Sequence, residues 1–455
     1  LLTIYGLFLS IPNPAFHAIV TSAIVMCLVY GVMLMFRARP GRTQQALLAV
    51  LMVAAPAAAY VVTDASQWEM KDVSELVGPV ADPYWGRSGR YLSCWYTFDA
   101  PADHAAVVRL RDLMPVSVPE HHGDIHTKWL DARYLLREVG HEEVADEFYL
   151  YSFDDGRERR LPTGHRAHVG YGGAISPDGR RVTWLARDED CRGTGVHVFN
   201  LRREEEERVY REFPEDAEWG TLETPAWDGN DTLVLAGTQP AEGTEEDTSR
   251  FRMLRIDRPT GQRTSYKGSA ARERWMLSAG FAYALGLNEV EEDTYTAVVL
   301  EVETGEVAFL EGAGTRPALC GSAPLAFRIR TDGAERRLTR ISLAEGREEV
   351  VSAVPGQMRL AGVSDSGHLA LLAPPELGRA TYLVVRSDDG TTKHLHVPGF
   401  AWIDTPGLPV PGFSPFSPGE RFLVCNSGLF PRTWLCDIPE EWRGQEGERT
   451  GAGSE

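Results

Sequence analysis

Ile175-Ser176-Pro177-Asp178-Gly179-Arg180-Arg181-Val182-Thr183-Trp184 joins a tight polar turn to an apolar, β-branched strand. Pro presets the backbone for a turn, Asp bonds back to the following amides, and Gly takes the positive φ that closes it. A looser copy is Phe416-Ser417-Pro418-Gly419-Glu420-Arg421-Phe422. Degenerate copies stand at Ser88-Gly89, Asp131-Ala132, Asp228-Gly229-Asn230, Ala279-Gly280, Ala323-Pro324 and Asp365-Ser366-Gly367. The last residues of these eight turns are 43 to 52 residues apart, the spacing of a repeated supersecondary unit.

Most turns launch a strand, such as Tyr91-Leu92-Ser93-Cys94-Trp95, Leu233-Val234-Leu235 or Leu369-Ala370-Leu371-Leu372. Continuous apolar runs of this length suit strands buried on both faces. A second turn follows in several units, at Asp154-Asp155-Gly156, Pro259-Thr260-Gly261, Glu303-Thr304-Gly305 and Asp388-Asp389-Gly390. Two punctuated hairpins per unit make a four-stranded sheet. The chain therefore reads as all-β, a single β-propeller of about eight four-stranded blades, with seven as the alternative count.

On these residues the chain resembles the TolB-type, WD-repeat-like propellers, whose turns carry S-P-D-G. The resemblance covers about residues 80 to 440 and implies a fold more than a function, because propellers host unrelated activities. Similar repeats occur in the non-catalytic propellers of prolyl-peptidase-like proteins. No G-x-S-x-G nucleophile elbow, P-loop or H-E-x-x-H stands in the sequence; His141-Glu142-Glu143 lacks the second histidine. The composition carries 65 acidic against 46 basic residues, net charge -19, and no long basic run, so nucleic acid is set aside as a partner.

Ahead of the repeats, Phe16 to Phe36 holds no ionisable group except His17, and its 21 residues match a hydrocarbon core of about 30 Å. Arg37, Arg39 and Arg42 follow, then a second apolar run from Ala46 to Val62. Positive charge inside would make that loop cytoplasmic and leave everything after Thr63 outside. A second reading also fits: translation from Met35 gives a basic region, an apolar stretch from Ala46 to Ala55 and small residues at Ala57 to Ala59, the grammar of a signal peptide. Leu1 to Ile11 is apolar too, and further residues are expected upstream of it. Either reading exports the large domain, to the periplasm or outside a bacterial cell. The expected division is a membrane segment over 1–63, a linker over 64–80, the propeller over 81–443 and a disordered polar tail over 444–455.

The last unit runs out after Thr433 to Ile438, before its outer strand, and a ring leaves no such edge open. Gln67 to Leu76 is the segment expected to supply it. Cys425 and Cys436 read either as a hairpin disulfide, which export would permit, or as two buried thiols.

Glu120, His121, His122, Asp124 and His126 lie between the first two units, and His165 and His168 between the second and third. Such connectors emerge on one face near the channel mouth. Neutral imidazoles there suit a transition metal, the metal set being His121, His122, Asp124, His126, His165 and His168. The plainer reading is solvated loop histidines. His394 and His396 share one face of a strand, a weaker candidate. Three functions stay open: a membrane-anchored module binding a protein or other ligand, an accessory subunit of a membrane transport complex, and a metal-dependent propeller enzyme.

Overall fold

The computed structural model describes residues 68–444, apart from 78–80, 87, 97–106, 120–123, 131–132, 141–146, 162–173, 188–193, 211–224, 241–247, 374–378, 401–413 and 428–431. The apolar segments of residues 1–62 lie outside the described residues, as does the tail beyond Gly444. No helix among the described residues is long and apolar enough to cross a membrane.

The described residues form eight small antiparallel sheets. Seven have four strands in sequence order, over residues 81–116, 124–160, 174–210, 226–272, 274–309, 318–353 and 359–400. The first strands of the first four sheets touch in succession, as do those of the sixth and seventh, so the first strands are the innermost. In the eighth sheet Phe422–Ser427 pairs with Arg432–Asp437, and Phe416 bridges Leu423 on the inner side.

The outer strand of the eighth sheet comes from the other end of the chain. Met70–Asp72 lies antiparallel to Arg432–Asp437, with Met70 opposite Cys436, Lys71 opposite Leu435 and Asp72 opposite Trp434. The Val73 amide donates to the Thr433 carbonyl at 2.9 Å and the Asp437 amide to that of Glu69 at 2.9 Å. Trp68 is buried nearby, its ring edge-on to Trp442 at 5.5 Å. This covers the edge that the sequence leaves open, using backbone groups that would otherwise pair with another chain.

Period-two alternation sends successive side chains of one strand into different neighbours. Leu233 and Leu235 join the core shared by the second, third and fourth sheets, with Leu150 and Trp184. Val234 and Ala236, one residue out of phase, pack with Trp275 of the fifth sheet. The same division continues through Leu285 and Ile341, then Phe327 and Ala370, then Leu371 and Leu423. Phe422 and Val424 of the eighth sheet meet Trp85 and Leu92 of the first, and Val107 of the first meets Leu130 and Leu135 of the second. Each sheet is thus glued on both faces, at about 1.5–3 kcal/mol for each large apolar side chain removed from water.

The turn repeat has a sharper anchor than its Asp-Gly pair. Ser176 donates its amide to the Arg181 carbonyl at 2.9 Å, and its Oγ accepts the Arg181 amide at 3.0 Å while donating to Asp178 at 2.6 Å. Gly179 closes the turn at φ 66°. Buried serines make the same double bond to the residue five positions on at Ser278 and Tyr283, Ser364 and Leu369, and Ser417 and Phe422. Gly86 with Tyr91 and Cys320 with Leu325 keep the backbone half alone.

Cys425 and Cys436 are buried free thiols rather than a disulfide. The register explains it: Cys425 sits opposite Trp434 and Cys436 opposite Leu423, so the two are diagonal neighbours instead of a facing pair.

Candidate functional site

Each sheet is a meander, so its first and third turns lie at one end. Its second turn and the connector to the next sheet lie at the other. The connectors holding the sequence-selected histidines do run from an outer strand to the next inner one, from Met114–Val116 to Asp124–Leu130 and from Arg157–Arg160 to Ala174–Ile175. His121, His122, His165 and His168 lie outside the described residues. Asp124 and His126 are the first and third residues of the innermost strand of the second sheet, opposite Gly140 and Glu138; their side chains are outside what is described. His394 and His396 are exposed on the outer strand of the seventh sheet. Among the described residues no group of three or more His, Cys, Asp or Glu side chains is placed to hold a metal ion.

The same connector end carries two arginines that sequence reading passed over. Arg274 opens the innermost strand of the fifth sheet and pairs with Leu287, the fifth residue of the strand Tyr283–Glu291. In the sixth sheet the Thr315 amide donates to the Ile329 carbonyl at 2.8 Å and the Thr315 Oγ1 accepts the Ile329 amide at 3.0 Å. Ile329 is again the fifth residue of its strand, Leu325–Asp332, so Arg316 follows at the level of Arg274.

The backbone leading into Arg316 is stitched in place. Gly314, two residues before it, exchanges backbone bonds with Tyr295 at 2.7 and 3.0 Å and bridges Arg330. A Cβ at Gly314 would lie 2.8 Å from the Ile329 carbonyl oxygen, so only glycine lets the connector come this close. Arg316 is half-buried, and its Nε is shielded from water with no hydrogen-bond partner. Burial, and after it the charge on Arg274, push its pKa down. The nearby Tyr295 phenol is pushed up by burial first, then by Glu289 and Asp293, against the two arginines. Two cations side by side, one of them partly desolvated, can take a negatively charged group.

No family model matches the chain, and no curated protein does. Several solved structures show a distant likeness to it. An oligogalacturonate lyase in complex with manganese is 15% identical, over 83% of this chain and 99% of that one, with a TM-score of 0.46. TolB from Acinetobacter baumannii is 9% identical, over 67% and 76%, at 0.32. The β-propeller domain of the Trilobed protease from Pyrococcus furiosus is 12% identical, over 70% and 98%, at 0.43. The sheets and their closure by the N-terminal strand make the fold a β-propeller. At such identities the likeness concerns the fold alone, and what the site does has to come from its own residues.

Proposed function

We propose that this chain is a non-enzymatic, eight-bladed binding module, anchored to the membrane by its N-terminal apolar segment with the propeller outside the cytoplasm, and that the connector end of the ring receives a protein or other ligand. The observation that carries the reading is Arg316 at that end, half-buried with its Nε shielded and unpartnered beside the exposed Arg274, so that the cost of burying its guanidinium is recovered on binding. Loops on a rigid ring suit recognition, since they vary while the scaffold stays fixed.

The test places a photo-crosslinking residue at the exposed Glu273, beside Arg274, and separately at the exposed Glu349 on the outer strand of the sixth sheet. In intact cells a discrete adduct is expected from position 273 and none from 349; equal labelling from both, or none, overturns the reading. Fractionation of the same cells checks the anchor, since a full chain recovered in the soluble fraction contradicts it.

We further propose a transition-metal site for the histidine connectors, supported by Asp124 and His126 standing on an innermost strand at this end. Metal content of the purified chain, lost in His122→Ala and His168→Ala, is the measurement; content unchanged in both variants removes the site.

A further inference from the structure

Neither Arg274 nor Arg316 has a counter-ion among the described residues, although carboxylates stand close by. Those carboxylates are engaged elsewhere. Glu273 accepts the Glu289 amide at 3.0 Å, and Glu289 accepts the Asp293 amide at 3.2 Å. Arg274 is exposed and Arg316 half-buried, whereas in the sixth sheet the buried Arg328 is paired with Glu348 and Arg330 reaches the same carboxylate at 3.6 Å. Arg274 and Arg316 are close enough for the charge on one to push down the pKa of the other, and no carboxylate among the described residues neutralises either.

We propose that Arg274 and Arg316, beside the Tyr295 phenol, form a binding site for one small anionic group, a carboxylate or a phosphate, held between the two guanidinium forks. Arg274 opens the innermost strand of the fifth sheet and Arg316 stands two residues before that of the sixth, Ala318–Leu319, at one ladder level, so a single anion between them meets two planar donors at once. It also gives the shielded Arg316 Nε the acceptor it lacks. The site's backbone is fixed before any ligand arrives, because the connector through Gly314 is stitched to strands of both sheets. Little ordering is then left for the ligand to drive. The net charge of -19 works against distant attraction of an anion, so the local forks have to supply the affinity.

The inference rests on the ligand-binding reading above and names the chemistry of what binds. Calorimetric titration of the detergent-extracted full chain at constant ionic strength uses inorganic phosphate in one arm and succinate in the other. Saturable binding of at least one is expected, weakened roughly tenfold or more by Arg274→Gln and by Arg316→Gln, and unchanged by Arg347→Gln on the outer strand. Without anion, Arg316→Gln is expected to melt no lower than the parent chain, because the lost charge had no partner; added anion raises the melting temperature of the parent only. Failure of the parent chain to bind either anion at ~10 mM overturns the proposal, as does equal affinity in all variants. If both anions fail while the crosslink at position 273 persists, the anion site alone is lost; if anions bind and no crosslink forms, it is the macromolecular partner that falls.

Discussion

Arg328 and Glu348 face each other inside the sixth sheet, side chains 0% and 5% exposed, joined by two parallel bonds of 2.9 and 2.7 Å. The guanidinium also donates to the carbonyls of Tyr295, Glu311 and Gly312, on the fifth sheet and the connector leaving it. Arg137 and Glu158 occupy the same ladder positions four sheets earlier, and Arg137 donates to the Pro119 carbonyl at 2.8 Å, on the connector leaving the first sheet. In both places a buried ion pair clasps one sheet to the exit of its predecessor.

Breaking such a pair leaves one charge buried alone. Arg328→Met or Glu348→Gln should each destabilise by about 3–5 kcal/mol, whereas Arg328→Met with Glu348→Leu together should recover much of the loss. Arg137→Met should cost less than Arg328→Met, because the Arg137 Nε already lacks a partner. Urea denaturation of the four variants gives the comparison; equal single and double costs would refute the clasp.

The turn serines are tested by alanine. Ser364→Ala and Ser417→Ala each leave the buried amides of Leu369 and Phe422 without their side-chain acceptor, at a cost of about 1–3 kcal/mol. Ser352→Ala, whose shielded hydroxyl has no hydrogen-bond partner among the described residues, serves as the control, and a loss there equal to that at Ser364 would deny the turn serines their role.

Ring closure depends on Trp68 as much as on the strand that follows it. Trp68→Ala should cost about 3–5 kcal/mol. Replacing Val73 by Pro removes the amide bonded to Thr433 and should promote self-association through the uncovered edge of the eighth sheet. Size-exclusion chromatography reads this directly, and a monodisperse Val73→Pro chain would count against it.

Alkaline pH should destabilise the fold before any strand is altered. Burial raises the Cys320 and Cys425 thiols above their ordinary value of 9.0, and burial with the Glu147 bond pushes the Tyr149 phenol up to about 12. These groups stay protonated in the folded chain and ionise on unfolding, so their stabilisation is full below pH 9 and is lost as pH rises from about 9 towards the raised folded values, about 12 for Tyr149. Urea midpoints at pH 8 and 10.5 should differ in that direction. The buried thiols should also resist alkylation at pH 8 until the chain unfolds; prompt labelling of Cys425 in the folded state would contradict its burial.

Local sequence carried the fold because each unit announces itself twice, with turn residues whose backbone preferences are intrinsic and with apolar runs that need a neighbour on both faces. Ile175 to Trp184 is one such unit, and the turn serine Ser176 is legible in it. Ser278 and Ser364 escaped notice since their partners, Tyr283 and Leu369, become meaningful only once the hairpin forms. For Cys425 and Cys436 the sequence left a facing disulfide and two buried thiols open, and the diagonal register of the hairpin decides for the thiols.

The sequence by itself determined the repeating unit, the all-β class and the need for a strand from Gln67 to Leu76 to finish the last sheet, because these follow from periodicity and from the cost of an open edge. Only the tertiary structure decided that Arg274 and Arg316, 42 residues apart, stand together without a carboxylate, and that Arg328 finds Glu348. Charge pairing depends on which residues share a ladder level in adjacent sheets, and that level is fixed by register and packing rather than by distance along the chain.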